Sequence, residues 1–189
     1  MSQKSKDKIA ESLIILMKTE LFEAITISEI CDNTSVVRKT FYNNFSTKLE
    51  VVAYIVDRLV NKYSELVKEI HAVSPKELSY IFFAFGKANR AVLTLLSKNG
   101  LFYLFRQKFE ILLPGINRSV PRNKLLVLSE DDLKYVYAFH SAGIIHLLEL
   151  WINNDFDKTE NEMSEIYYAI SLGIQDPPAT TKSSNEFTE

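Results

Sequence analysis

A series of helix start signals constrains this chain more than anything else in it. Thr26 and Glu29, Thr47 and Glu50, and Thr159 and Glu162 each stand three residues apart at the head of an apolar run. In such a pair the hydroxyl accepts an orphan backbone N–H, and the carboxylate reaches back to the cap. Ser74-Pro75 is a fourth start, with proline at the first helical position. Ser129, followed by Glu130, Asp131 and Asp132, is a fifth, with acids at the positive end of the helix. Only five Gly and five Pro occur in 189 residues, and no segment alternates like a strand. The spacing predicts an all-α fold.

The starts divide the chain. Helix 1 is predicted from about Asp7 to Glu20, with Ile9, Leu13, Leu16 and Met17 as its buried stripe. A short helix follows over 27–32, a second over 36–45, and a long one from Lys48 to about Ala72. A stretch from Ser74 to Lys98, bent or split near Asn89, stops at Asn99-Gly100. Residues 101–113 are predicted helical up to Pro114-Gly115, then an irregular loop. Helices over 131–153 and from Thr159 to about Leu172 follow, and the Pro/Ser/Thr-rich tail 175–189 is expected to be disordered. The domains are then 1–47, 48–174 and the tail.

With 47% apolar residues the chain can bury a sizeable core. The lone Cys31 excludes an intrachain disulfide and fits a reducing compartment. No apolar run approaches the length of a spanning helix, and "LIILM" near the N-terminus is too short for an export signal. A cytoplasmic protein is expected. His140 and His146 lie six apart, about 240° around a helix, and His71 is remote, so no metal or other cofactor is expected. No nucleophile motif, phosphate loop or carboxylate pair stands out, so no catalytic residue is assigned.

Helices 27–32 and 36–45 are too short to stand alone and need a supporting helix, for which helix 1 is the candidate. Two short helices tightly joined on a third describe a helix-turn-helix, whose second member can enter the DNA major groove. In that member Val37, Phe41 and Phe45 recur every four residues and are expected to face the core. Arg38, Lys39, Tyr42 and Asn43 project elsewhere. Arginine and asparagine suit base edges; lysine and tyrosine suit phosphate oxygens. Lys48, at the next helix start, is expected to share a phosphate with free backbone N–H groups. Residues 1–50 carry seven Lys/Arg against seven Asp/Glu, so placement of the cations matters more than their number.

The stretch "ITISEIC…VVRKTFYNNFSTKLEVV" resembles the N-terminal domain of TetR-family transcriptional regulators. Thr26, Ile27, Ile30, Val36, Thr40, Phe41, Tyr42, Phe45 and Lys48 match that family's pattern. The resemblance implies a DNA-binding repressor whose operator contacts include Thr26, Arg38, Lys39, Thr40, Tyr42, Asn43, Asn44 and Lys48. Two positions depart from it. Ser35 stands where the family has its turn glycine, and Val37 where it has a capping serine. Ser35 capping one turn earlier, or Asn33 or Thr34 absorbing the turn, would compensate. Residues 137–166 are loosely similar to the branch that includes DhaS-type regulators.

The family resemblance implies a ligand-binding and dimerisation domain beyond residue 47. The 131–153 helix is apolar nearly all round, with only Lys134 and Glu149 charged between 133 and 152. Such a helix is buried on two sides, the second against another copy of the chain. Phe139, Gly143, His146, Leu147 and Leu150, with Met163, Ile166, Tyr167 and Ile170 of the last helix, are the candidate homodimer interface. Aromatic residues crowd "YIFFAF" and "LFYLFRQKF". Phe82, Phe85, Phe102 and Phe105, with Tyr137 and His140, are the candidate pocket for an apolar small-molecule effector. The expected function is a dimeric regulator on a palindromic operator. Its rival is a protein-interaction adaptor of the same fold that has lost operator binding.

Overall fold

The structure, a computed structural model, describes residues 3–69, 74–117 and 129–171. Among them lie nine helices and no strand: α1 Gln3–Leu16, α2 Ile27–Asp32, α3 Arg38–Asn44, α4 Lys48–Lys68, α5 Pro75–Ala88, α6 Arg90–Lys98, α7 Phe102–Asn117, α8 Glu130–Asn153 and α9 Glu160–Ser171. The expected tail lies outside the described residues.

The caps act where the sequence placed them. Full capping boxes close on Thr26, Ser74 and Ser129, and Thr159 exchanges the same bonds with Glu162. At α4, Thr47 accepts from the Glu50 N–H, but the Glu50 carboxylate reaches past it to the Ser46 N–H. α1 ends at Leu16 rather than Glu20, because Lys18 and Thr19 turn back on Ile15 and Leu16 in tighter bonds. Asn89 splits the 75–98 stretch. α7 runs past Pro114 to Asn117 rather than stopping before it.

α1 packs on α2, α3 and α4, forming the head. Ile9, Leu13, Phe22, Ile25, Ile30 and Phe41 are buried there, and each such side chain contributes about 1.5–3 kcal/mol. This burial holds two helices that local propensity alone would leave unfolded. α4 leads from the head into the body, where α7 lies between α4 and α8 and α5 packs along α9. The buried core is continuous through both.

Candidate nucleic-acid interface

α3 begins at Arg38, two residues later than the predicted start at 36. Val37 is its N-cap, in extended backbone and without a side-chain cap bond. Its side chain is therefore 66% exposed, whereas Phe41 is fully buried and Phe45 nearly so. The core position assigned to Val37 is corrected: the four-residue rhythm does not continue outside the helix, and Val36 packs on the core instead.

The turn before α3 runs through Ser35, whose φ of 57° lies in the left-handed region. Serine accepts there the conformation glycine adopts freely, at about 1 kcal/mol. Thr34 stabilises the turn, its hydroxyl contacting the Ile30 and Cys31 carbonyls and accepting from the Val36 N–H. Neither Asn33 nor Thr34 absorbs the turn, and Ser35 makes no cap bond. Cys31 beneath is buried, which pushes its thiol up from the ordinary range.

Arg38, Lys39, Tyr42 and Asn43 are exposed on α3. Arg38 Nη2 donates to Ser28 Oγ at 2.6 Å, which orients the guanidinium across the α2–α3 angle without a neutralising acid. The sequence held no sign of this role for Ser28. Tyr42 leans edge-on against Phe41, 5.5 Å between ring centroids, so the ring is braced. Thr40 is half-buried. Asn44 turns inward: Nδ2 donates to the Thr40 carbonyl at 2.7 Å, and Oδ1 is buried without a partner. Thr26 exchanges hydrogen bonds with Glu29 in the α2 cap. Asn44 does not join the outward set, because its side chain closes on its own helix.

Lys48 is the larger correction. Its ammonium donates to the carbonyls of Phe22 at 2.6 Å, Glu23 at 2.9 Å and Ile25 at 2.8 Å. It also stands 4.6 Å over the Phe22 ring. Three donors meet three acceptors, so the side chain ties the α1–α2 loop to the head of α4 and leaves no N–H for a phosphate.

On the body, the outer face of α8 carries Tyr135, Phe139, Ala142, Gly143, His146 and Leu150, all exposed. Phe139 is 65% and Tyr135 68% exposed, a large apolar area for one helix face. Ile170 of α9 is exposed beside Leu147, Ile166 and Tyr167, which are half-buried. Met163, assigned to the interface, is buried within the chain, because its turn of α9 faces the core. A groove of about 230 Å³ runs between Phe139, His140, Gly143, Leu147, Tyr167 and Ile170.

The six candidate effector residues do not line one space. Tyr63, Phe82, Phe85 and Phe109 pack ring on ring at 4.9–5.8 Å, and Phe105 joins Phe102 to Phe109. Burying aromatic faces against one another satisfies them without a ligand. His140 lies elsewhere, in the outer groove, with Nδ1 3.1 Å from the Tyr167 hydroxyl. Tyr137 is half-buried on α8.

A helix-turn-helix head on a helical body defines a class of transcriptional regulators, and the comparisons agree. Residues 74–173 match the TetR C-terminal family described as "Transcriptional regulator C-terminal region". The chain belongs to the TetR family of transcriptional regulators. No curated protein matches it in sequence. Among solved structures it is similar to the dihydroxyacetone kinase operon activator DhaS, with TM-score 0.63, 16% identity, and 90% of this chain and 96% of that one covered. A TetR transcriptional regulator from Streptococcus agalactiae gives TM-score 0.63 at 18% identity over 89% and 94% of the two chains. The fatty acid degradation regulator FadR from Bacillus halodurans gives 0.63 at 15% over 93% and 98%. At such identities the likeness is one of fold. No helix among the described residues is long and apolar enough to cross a membrane.

Proposed function

We propose that this protein is a homodimeric DNA-binding regulator that reads a palindromic operator with α3 of each subunit. The outward set on α3 carries the reading: Arg38, Lys39, Tyr42 and Asn43 are exposed over buried Phe41. Arg38 and Asn43 read base edges, while Lys39 and Tyr42 hold phosphates. The backbone N–H groups that open α4 receive a further phosphate without the Lys48 ammonium. The two heads are spaced by pairing the outer faces of α8 and α9, where Tyr135, Phe139 and Leu150 leave water.

The effector is apolar, in keeping with the fatty-acid context of the similar FadR structure. Its binding in the body changes the separation of the heads.

The adaptor reading keeps one observation in its favour: the internal engagement of Lys48 removes a cation from a head whose charge is already balanced. Selection of purified protein against random-sequence duplexes, repeated at low and high salt, separates the two. A palindromic consensus with salt-sensitive affinity supports the regulator. Absence of salt-sensitive binding to any duplex, with and without apolar effectors, overturns it in favour of the adaptor.

A further inference from the structure

The head and body are joined by one continuous helix, α4, and share a buried core. A second attachment stands at the end of α6. Phe22, in the α1–α2 loop of the head, donates its backbone N–H to Asn99 Oδ1 at 2.7 Å, across 77 residues of sequence. Asn99 is the C-cap of α6, and its side chain is held at its other end too: Nδ2 donates to the Leu95 carbonyl at 2.8 Å. With both ends of the amide engaged, Oδ1 has one direction in which to point.

The helix end around it is equally fixed. Gly100 takes φ 67°, the Gly100 N–H bonds to the Ser97 carbonyl, and the Leu101 N–H returns to Leu96. These two bonds make a Schellman motif, which locks the last turn of α6. Leu96 and Leu101 are buried on either side. Ser97 Oγ then donates to Asn153 Oδ1 at 2.6 Å, the last residue of α8. On the head side, Phe22 is buried, and its carbonyl and ring both hold Lys48 at the first turn of α4. Hydrogen bonds therefore connect the end of α8 to Ser97 and Asn99 to Phe22 and Lys48, and the backbone of the last turn of α6 joins the two.

We propose that Asn99 is the residue that fixes the angle of the helix-turn-helix head on the helical body. It acts as a positioning residue for DNA recognition through Phe22, touching no nucleotide itself. For its consequence on DNA this rests on the regulator reading. For its consequence on geometry it does not.

The test measures the geometry directly on the full chain. Spin labels are placed at Lys18→Cys on the head and Asp157→Cys on the body, and labelled chains are diluted with unlabelled protein so that only intramolecular distances are read. Cys31 is buried and stays unlabelled. Wild type is expected to give one narrow distance distribution. Asn99→Ala, which removes the acceptor, is expected to broaden it at least twofold, and Asn99→Asp, which keeps an acceptor for the Phe22 N–H but loses the donor to the Leu95 carbonyl, to broaden it less. Should the alanine variant fold poorly, Asn99→Ser serves in its place, its hydroxyl being too short to meet Phe22. An unchanged width in Asn99→Ala or Asn99→Ser overturns the proposal.

A second arm uses palindromic duplexes whose half-sites are separated in single-base-pair steps. Wild type is expected to prefer one spacing by at least tenfold, and Asn99→Ala to reduce that preference to threefold or less with single half-site affinity unchanged. Equal weakening at every spacing would mean a merely structural loss. Failure of wild type to bind any duplex would remove the regulator reading, while the distance measurement still decides the role of Asn99.

Discussion

The ammonium of Lys48 lies 4.6 Å above the ring of Phe22 and donates to that residue's own carbonyl at 2.6 Å. One side chain thus grips one residue by its face and its backbone, and two further carbonyls complete its shell. Lys48 is expected to matter for the head's stability more than for phosphate binding. Lys48→Met keeps the apolar stem and removes the three donors. It should lower the unfolding free energy by about 2 kcal/mol, the scale of losing charge-assisted bonds from part-buried carbonyls. The slope of log affinity against log salt should stay within experimental error of wild type. A slope flatter by about one unit would return Lys48 to the phosphate contacts.

The α2–α3 turn is improvable in two places. Ser35 holds φ 57°, and Val37 caps α3 with no oxygen to offer. Ser35→Gly should stabilise by about 1 kcal/mol by relieving the left-handed strain. Val37→Ser should add about 1 kcal/mol by supplying a cap. The residues are near neighbours, so the double variant is expected to gain less than the two singles together. Urea denaturation reads all three. A destabilising Ser35→Gly would show that the serine side chain supports the turn in a way its geometry does not reveal.

What was legible in the sequence was local. The starts at Thr26, Ser74, Ser129 and Thr159 and the break at Asn89 depend on residues three or four apart, and a linear pattern contains them whole. Val37 was misplaced because an apolar period carries no mark of where its helix begins. The side-chain roles of Lys48 and Asn99 could not be read there. Their partners lie 23–26 and 77 residues away, in a loop with no periodicity to reveal its path. The aromatic cluster was visible as composition, but composition does not distinguish rings around a space from rings around one another. Met163 shows the same limit on α9, where an apolar residue faces the core rather than a partner.

His140 provides a pH dependence with a definite sign. Burial holds its imidazole below the ordinary 6.5, and it faces the Tyr167 hydroxyl, itself pushed up by burial. The unfolded chain then takes up the proton first as pH falls, so stability rises with pH across this window. The stabilisation is present above the unfolded value and is lost as pH falls from there through the lowered folded value. The carboxylates held down by their bonds, Asp7, Glu29, Glu77 and Glu162, lose their contributions only at lower pH, since their ordinary values are 3.8 and 4.5. Melting temperature followed between roughly pH 7.5 and pH 5 should fall for wild type and stay flatter for His140→Gln. Parallel curves would exclude His140 as the source.

Gly143 allows the dimer to be tested apart from the fold. It sits mid-way along the exposed stripe of α8, and a Cβ built there meets nothing within 4 Å. Replacing a glycine inside a helix also favours the helix by about 0.5–1 kcal/mol. Gly143→Arg should therefore leave the protomer at least as stable, while placing a charge where Phe139, Leu147 and Leu150 would be sealed from water by a second copy. Light scattering at micromolar concentration is expected to give a dimer for wild type and a monomer for the variant, with identical far-ultraviolet circular dichroism. Tyr135→Glu, further along the stripe, should weaken the dimer without altering the groove beside His140. A monomeric wild type sinks the pairing of α8 and α9. A dimeric Gly143→Arg moves the two-fold axis elsewhere on the body, and the exposed area of Phe139 and Tyr135 would then need another partner to cover it.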